Sequence, residues 1–106
     1  RSSPGTIIGN EAFNFFNGIC VDYAFISCDA IDDDGEVYSD NIAVAAVESA
    51  VLKNAKHKYV LCDSSKLGKR SIAHIVNLRE CDALITGKSD SSVTEKLSYS
   101  INVDCV

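Results

Sequence analysis

Basic side chains are scarce in this sequence: ten Lys and Arg stand against fifteen Asp and Glu, a net charge of -5 over 106 residues. Gripping a phosphate backbone draws on clustered Lys and Arg, so this segment is not expected to touch nucleic acid itself. Long hydrophobic runs are missing as well. No stretch approaches the roughly 18 apolar residues of a membrane span, and the opening Arg1-Ser2-Ser3-Pro4 has nothing of a signal-peptide core. The expectation is a cytoplasmic chain with no membrane partner. There is no Cys-x-x-Cys and no Cys/His cluster at zinc spacing, so no metal site is expected. Internal repeats, linkers and low-complexity stretches are also lacking.

The five cysteines (Cys20, Cys28, Cys62, Cys81, Cys105) are odd in number, and several sit in apolar runs such as Tyr59-Val60-Leu61-Cys62. That favours buried free thiols in a reducing compartment over a disulfide frame. Hydrophobic residues make up 46% and charged residues 24%, the balance of one soluble domain with a packed core.

Periodicity predicts an alternation of elements. A short amphipathic helix over 9–16 stops at Asn17-Gly18, and an apolar strand segment over 21–31 follows. Within it, Tyr23-Ala24-Phe25-Ile26 reads as a strand buried on both faces of a parallel sheet. Asp32-Asp33-Asp34-Gly35 is a turn. A calcium loop there would need its first ligand at Ala30 and its twelfth at Asn41, so the acidic run reads as a solvated turn.

An Ala- and Val-rich helix over 41–54 follows, with Asp40 as its expected N-cap. Strands are predicted over 58–62 and 81–86, a short extended piece over 72–76, a helix over 91–97 and a closing strand over 101–106. Strands alternating with helices imply an α/β fold, a Rossmann-like, mostly parallel sheet flanked by helices.

In such sheets ligands bind where strands end at their carboxyl side. That rule selects two loops, one carrying Ser27 and Asp29, the other Asp63-Ser64-Ser65-Lys66. The second joins hydroxyls, one cation and a following glycine, the ingredients for holding a phosphate, with Ser65 and Lys66 as donors. The plainer reading is a solvated surface turn. Asp29 and Asp63 either accept from sugar hydroxyls or cap nearby backbone N–H groups. Glu48, inside an otherwise apolar helix, is either a proton-transfer group near the loops or part of the helix's exposed stripe. His57 and His74 have no nucleophile beside them and read as strand-flank or surface residues.

Several blocks together resemble one family. They are Phe25-Ile26-Ser27-Cys28-Asp29-Ala30-Ile31-Asp32, Gly35, Tyr59-Val60-Leu61-Cys62-Asp63-Ser64-Ser65-Lys66-Leu67-Gly68-Lys69-Arg70-Ser71 and Asp82-Ala83-Leu84-Ile85-Thr86, at matching spacing. The sequence is similar to the C-terminal sensor domain of DeoR-type transcriptional regulators.

The resemblance implies a fold related to ribose-5-phosphate isomerase and the CoA-transferases. It also implies a phosphorylated sugar as effector, with Lys66 on the phosphate and Asp29 on the sugar. It implies no cofactor and no catalytic residue, and operator DNA reached only through an N-terminal winged helix-turn-helix domain. By that expectation, residues 1–106 are the C-terminal part of the sensor domain, without the DNA-binding domain and without an earlier phosphate-binding loop. The helix faces rich in Ala and Val suggest a homo-oligomer.

Three positions depart from the family pattern. Ser27 stands where a glycine is usual, and Val44 and Glu48 stand where a Glu and a Lys are common. The related isomerases carry a helical Glu that aligns with Glu48, which makes an aldose-ketose isomerase the competing expectation. Their glycine-rich turn is replaced here by Val37-Tyr38-Ser39-Asp40.

Overall fold

A computed structural model describes residues 10–87 and 92–106. The described elements are helix α1 (Asn10–Asn17), strands β1 (Val21–Ser27), β2 (Ala30–Ile31) and β3 (Glu36–Ser39), helix α2 (Ile42–Lys53), strands β4 (Ala55–Cys62), β5 (Ala73–Asn77) and β6 (Ala83–Thr86), helix α3 (Ser92–Leu97) and strand β7 (Val103–Cys105). Single 3-10 turns occupy Ser64–Lys66 and Leu78–Glu80. The expected starts of the first and third helices at Gly9 and Ser91 lie outside the described residues.

The main sheet has the order β1-β4-β6-β7, and every neighbouring pair in it is parallel. That is the expected mostly parallel α/β architecture. A second, antiparallel sheet of order β2-β3-β5 accompanies it. Helix α2 packs against β1 and β4 on one side and against β3 and β5 on the other, so it lies between the two sheets. Around it Ile31, Val37, Leu52, Val60, Leu78 and Leu84 are fully buried in one continuous core. Burying each such side chain stabilises the fold by about 1.5–3 kcal/mol.

Three sequence expectations are corrected. The segment 21–31 is two strands in two sheets. The chain leaves the main sheet after Ser27, and the Asp29 N–H donates to the Tyr38 carbonyl at 2.9 Å, starting the β2-β3 hairpin.

Second, Tyr23 and Phe25 are not buried on both faces. Ala24 and Ile26 face the core, whereas Tyr23 and Phe25 are 60% and 61% exposed on the outer face, where Phe25 stacks on Tyr59 and Tyr23 on His57. None of the described elements covers these rings.

Third, Asn41 caps α2. Its side-chain oxygen accepts from the Val44 N–H at 3.0 Å, while the Asp40 carboxylate accepts from the Ser71 hydroxyl. Asn54 closes the other end, and its amide donates to the carbonyls of Phe16 and Asn17, tying α1 to α2.

The triple aspartate is the hairpin turn between β2 and β3. The Asp32 carboxylate accepts from the N–H groups of Asp34 and Glu36, and Gly35 takes the positive φ of 83° that favours glycine. All five cysteines are free thiols. Cys62 is buried, Cys28 and Cys81 are half-buried, and Cys20 and Cys105 are exposed, so burial of the thiols holds for only part of the set.

Candidate functional site

β1 and β4 are adjacent and parallel, with Ser27 opposite Leu61, so the loops that follow them emerge side by side. This sets Asp29 and the Asp63–Lys66 turn at the same edge of the main sheet. In the second loop the Asp63 carboxylate accepts from the Ser65 N–H at 2.9 Å and caps the 3-10 turn. Those bonds from the Ser65 amide and hydroxyl hold the Asp63 carboxyl below the usual carboxylate range.

Further on, the loop is fastened to β2. Leu67 is buried and bridges to Ile31, and the N–H groups of Gly68 and Lys69 both donate to the Ile31 carbonyl. Gly68 has φ 77°, and an added Cβ would lie 3.1 Å from Val93 Cγ2. Lys66, between these two anchors, is exposed and has no ion-pair partner among the described residues.

Asp29 is half-buried and already engaged. Its Oδ2 accepts from the Asp40 N–H at 2.8 Å and from the Ser39 hydroxyl at 3.3 Å, which fixes the lead-in to α2. Glu48, on α2, is half-buried and close enough to Asp29 and Cys28 to interact electrostatically with both. Burial, and after it the Asp29 charge, push the Glu48 carboxyl up to about 7. Glu48 is half-buried, so it does not lie on an exposed stripe. A carboxyl that is partly protonated near neutrality repels an anion less than a full carboxylate and can donate a hydrogen bond.

Asp29, Glu48, Asp63, Ser65 and Lys66 thus lie in one neighbourhood, and Lys66 is near enough to Cys62 to favour its thiolate. Ser27 differs. It alternates with Ile26, and its side chain belongs to the outer face with Phe25. His57 lies 3.9 Å from Asp82 and stacks on Tyr23, and His74 hydrogen-bonds Glu36 at 2.9 Å; both are strand residues away from this edge.

Sequence reasoning missed a row of small side chains on the inner face. Thr86 lies opposite Cys62 in the register, and Cys28, just past the end of β1, packs against the same cluster. Thr86 is 2% exposed, and its hydroxyl has no hydrogen-bond partner among the described residues. Strand parity counted from Ala24 and Ile26 was the available signal for Cys28.

A cleft of about 450 Å³ lies elsewhere, between α2 and β5, lined by Ser49, Lys53, Lys58, His74 and Glu80 among others. Lys53 and Lys58 line it, but it opens beside the antiparallel sheet, whereas ligands of such folds bind at the carboxyl ends of parallel strands, where the β1/β4 loops emerge.

The sequence matches the profile of the family described as "DeoR C terminal sensor domain" over residues 1–88. It is 26% identical over 86 residues to the glycerol-3-phosphate regulon repressor of Escherichia coli (strain K12), which covers 81% of this chain and 34% of that protein. It is 32% identical over 79 residues to a lactose phosphotransferase system repressor of Staphylococcus epidermidis (strain ATCC 12228 / FDA PCI 1200), covering 74% of this chain and 31% of that protein. With the HTH-type transcriptional regulator GlpR of Haloferax volcanii it shares 27% identity over 98 residues, 92% of this chain and 38% of the relative. The chain therefore spans about a third of the length of these relatives.

Proposed function

Because this chain belongs to the family of DeoR C-terminal sensor domains, we propose that it binds a phosphorylated sugar and relays that binding to operator DNA. The relay would run through an N-terminal winged helix-turn-helix domain. The observation that carries the reading is Lys66, a cation without an ion-pair partner among the described residues, presented by a loop fastened on both sides at the ends of two parallel strands. Asp63 shapes that loop, and Lys66 with the Ser65 hydroxyl meets the phosphate. Asp29 and Glu48 form the opposite wall and face sugar hydroxyls. Ser27 contributes through its backbone, since its side chain lies on the outer face.

The names of the relatives favour a regulator over an enzyme, as they are repressors and a transcriptional regulator. The reading includes no catalytic group and no cofactor, a cytoplasmic location and self-association as a homo-oligomer. Among the described residues no helix is long and apolar enough to cross a membrane.

Calorimetric titration of the intact protein with a panel of sugar phosphates tests the proposal. Binding without turnover is expected, and Lys66→Ala should weaken it about tenfold or more, the worth of a charge-assisted hydrogen bond. Unchanged affinity in that variant would exclude Lys66 from the site. One observation favours an aldose-ketose isomerase instead: a helical carboxyl titrating near neutrality is suited to moving a proton between adjacent carbons. Conversion of an aldose phosphate to its ketose in the same samples, lost in Glu48→Gln, would replace the sensor reading with that one.

A further inference from the structure

Two thiols stand side by side where the first two strands of the main sheet end. The last registered pair of β1 and β4 is Ser27 opposite Leu61; Cys28 and Cys62 are the next residues of each, and Cys28 packs against the buried cluster that holds Cys62. The alternation that buries Val60 carries Cys62 to the inner face, and the half-buried Cys28 packs against the same cluster. Neighbouring strands lie about 4.8 Å apart, within the Cα separation of roughly 4.4–6.8 Å that a disulfide spans. The two thiols are within hydrogen-bonding reach of each other, and Cys62 Sγ donates to the Asp63 carbonyl at 3.3 Å. Cys62 is 7% exposed, and the half-buried Cys28 provides the approach from solvent.

We propose that Cys28 and Cys62 form a peroxide-oxidisable dithiol, a modification site built into the edge of the sheet where the candidate ligand loops emerge. The two thiols are not equivalent. The hydrogen bond from Cys28 and the charge of Lys66 draw Cys62 towards its thiolate, whereas that same hydrogen bond and burial keep Cys28 protonated. Cys62 is therefore the attacking sulfur and Cys28 the resolving one.

The thiolate of Cys62 attacks hydrogen peroxide: an S–O bond forms, the O–O bond breaks, and the departing hydroxide is protonated to water. Cys28 then attacks the sulfenic sulfur; the S–S bond forms, the S–O bond breaks, and the oxygen leaves as water with the Cys28 proton. Overall two thiols and one peroxide give one disulfide and two waters, and a dithiol reductant reverses the reaction. The bond would draw the two loops together. Its effect on ligand binding rests on the sugar-phosphate reading above.

The intact protein is treated with a small excess of hydrogen peroxide, the remaining thiols are blocked, and the non-reduced digest is mapped by mass spectrometry. The expected result is a dithiothreitol-sensitive link between the Cys28 and Cys62 peptides, with a higher melting temperature. Cys28→Ser should yield only sulfenic or sulfinic Cys62 and no link. Two thiols that stay freely alkylatable, or a link from either to Cys20 or Cys105, would overturn the proposal.

Inorganic phosphate titrated into both forms separates the two readings. Failure of the reduced protein to bind counts against the sugar-phosphate site alone and leaves the mapped link to decide the dithiol. Where the reduced form binds, about tenfold weaker binding after oxidation is expected, and equal binding by both forms would overturn the coupling.

Discussion

The loops that follow the two neighbouring strands β1 and β4 each begin with an aspartate, and the two aspartates are committed differently. Asp29 is half-buried and spends one carboxylate oxygen on the Asp40 N–H and the Ser39 hydroxyl, so it braces the start of α2. Asp63 is exposed and accepts only from within its own turn, which leaves the next residues, Ser65 and Lys66, facing solvent. The first loop is scaffold. The second is a presented cation. Acidic residues at a strand end therefore need not repel an anion when their charge is absorbed by the fold and a lysine is held beside them.

The sharpest way to break the comparison is Asp29→Ala, which leaves the Asp40 N–H and the Ser39 hydroxyl without an acceptor. A loss of about 2–3 kcal/mol in urea unfolding is expected, and a stability equal to that of the parent would deny Asp29 its bracing role. Gly68→Ala comes next. A side chain at φ 77° with its Cβ 3.1 Å from Val93 Cγ2 should cost about 1–2 kcal/mol and loosen the turn that carries Lys66. Full stability would show that Leu67 alone fastens the loop.

Glu48→Gln has the smallest expected effect. The Glu48 carboxyl is raised from 4.5 to about 7, so the folded protein binds more protons than the unfolded chain between those values. Stability is fully present below about pH 4.5, falls as pH rises through that window, and levels above about pH 7. With the side chain only half-buried, screening reduces the penalty to about 1 kcal/mol. Glu48→Gln should therefore be more stable than the parent by that amount at about pH 8 and should lack this slope; identical pH profiles would place Glu48 in solvent.

The elements set by local chemistry were legible in the sequence. The Asp-Asp-Asp-Gly turn, the Ala- and Val-rich α2 and the Asp63–Gly68 loop lie where residue types alone predict them, because glycine, turn-forming residues and apolar periodicity act over a few residues. That the loop after Ser27 turns into a strand of a second sheet was not legible. It depends on the Asp29 N–H reaching the Tyr38 carbonyl of a hairpin that exists only once β3 has formed. The antiparallel pairing of β3 with β5 is likewise made between segments far apart in sequence.

The outer face misled for a related reason. Tyr23-Ala24-Phe25-Ile26 is apolar throughout, but burial depends on what packs opposite, and no described element packs there. At the site, the Asp63–Lys66 block declared itself by composition. Cys28, Cys62 and Thr86 resembled ordinary core residues until the strand register set Thr86 opposite Cys62, with Cys28 packed against the same cluster.

Amide chemical-shift mapping of the intact protein during titration with a sugar phosphate tests most directly where the anion sits. The expected shifts centre on Cys28, Asp29 and residues 63–68 and are lost in Lys66→Ala. Shifts confined to Ser49, Lys53, Lys58 and His74, around the cleft between α2 and β5, would contradict an anion site at the strand ends.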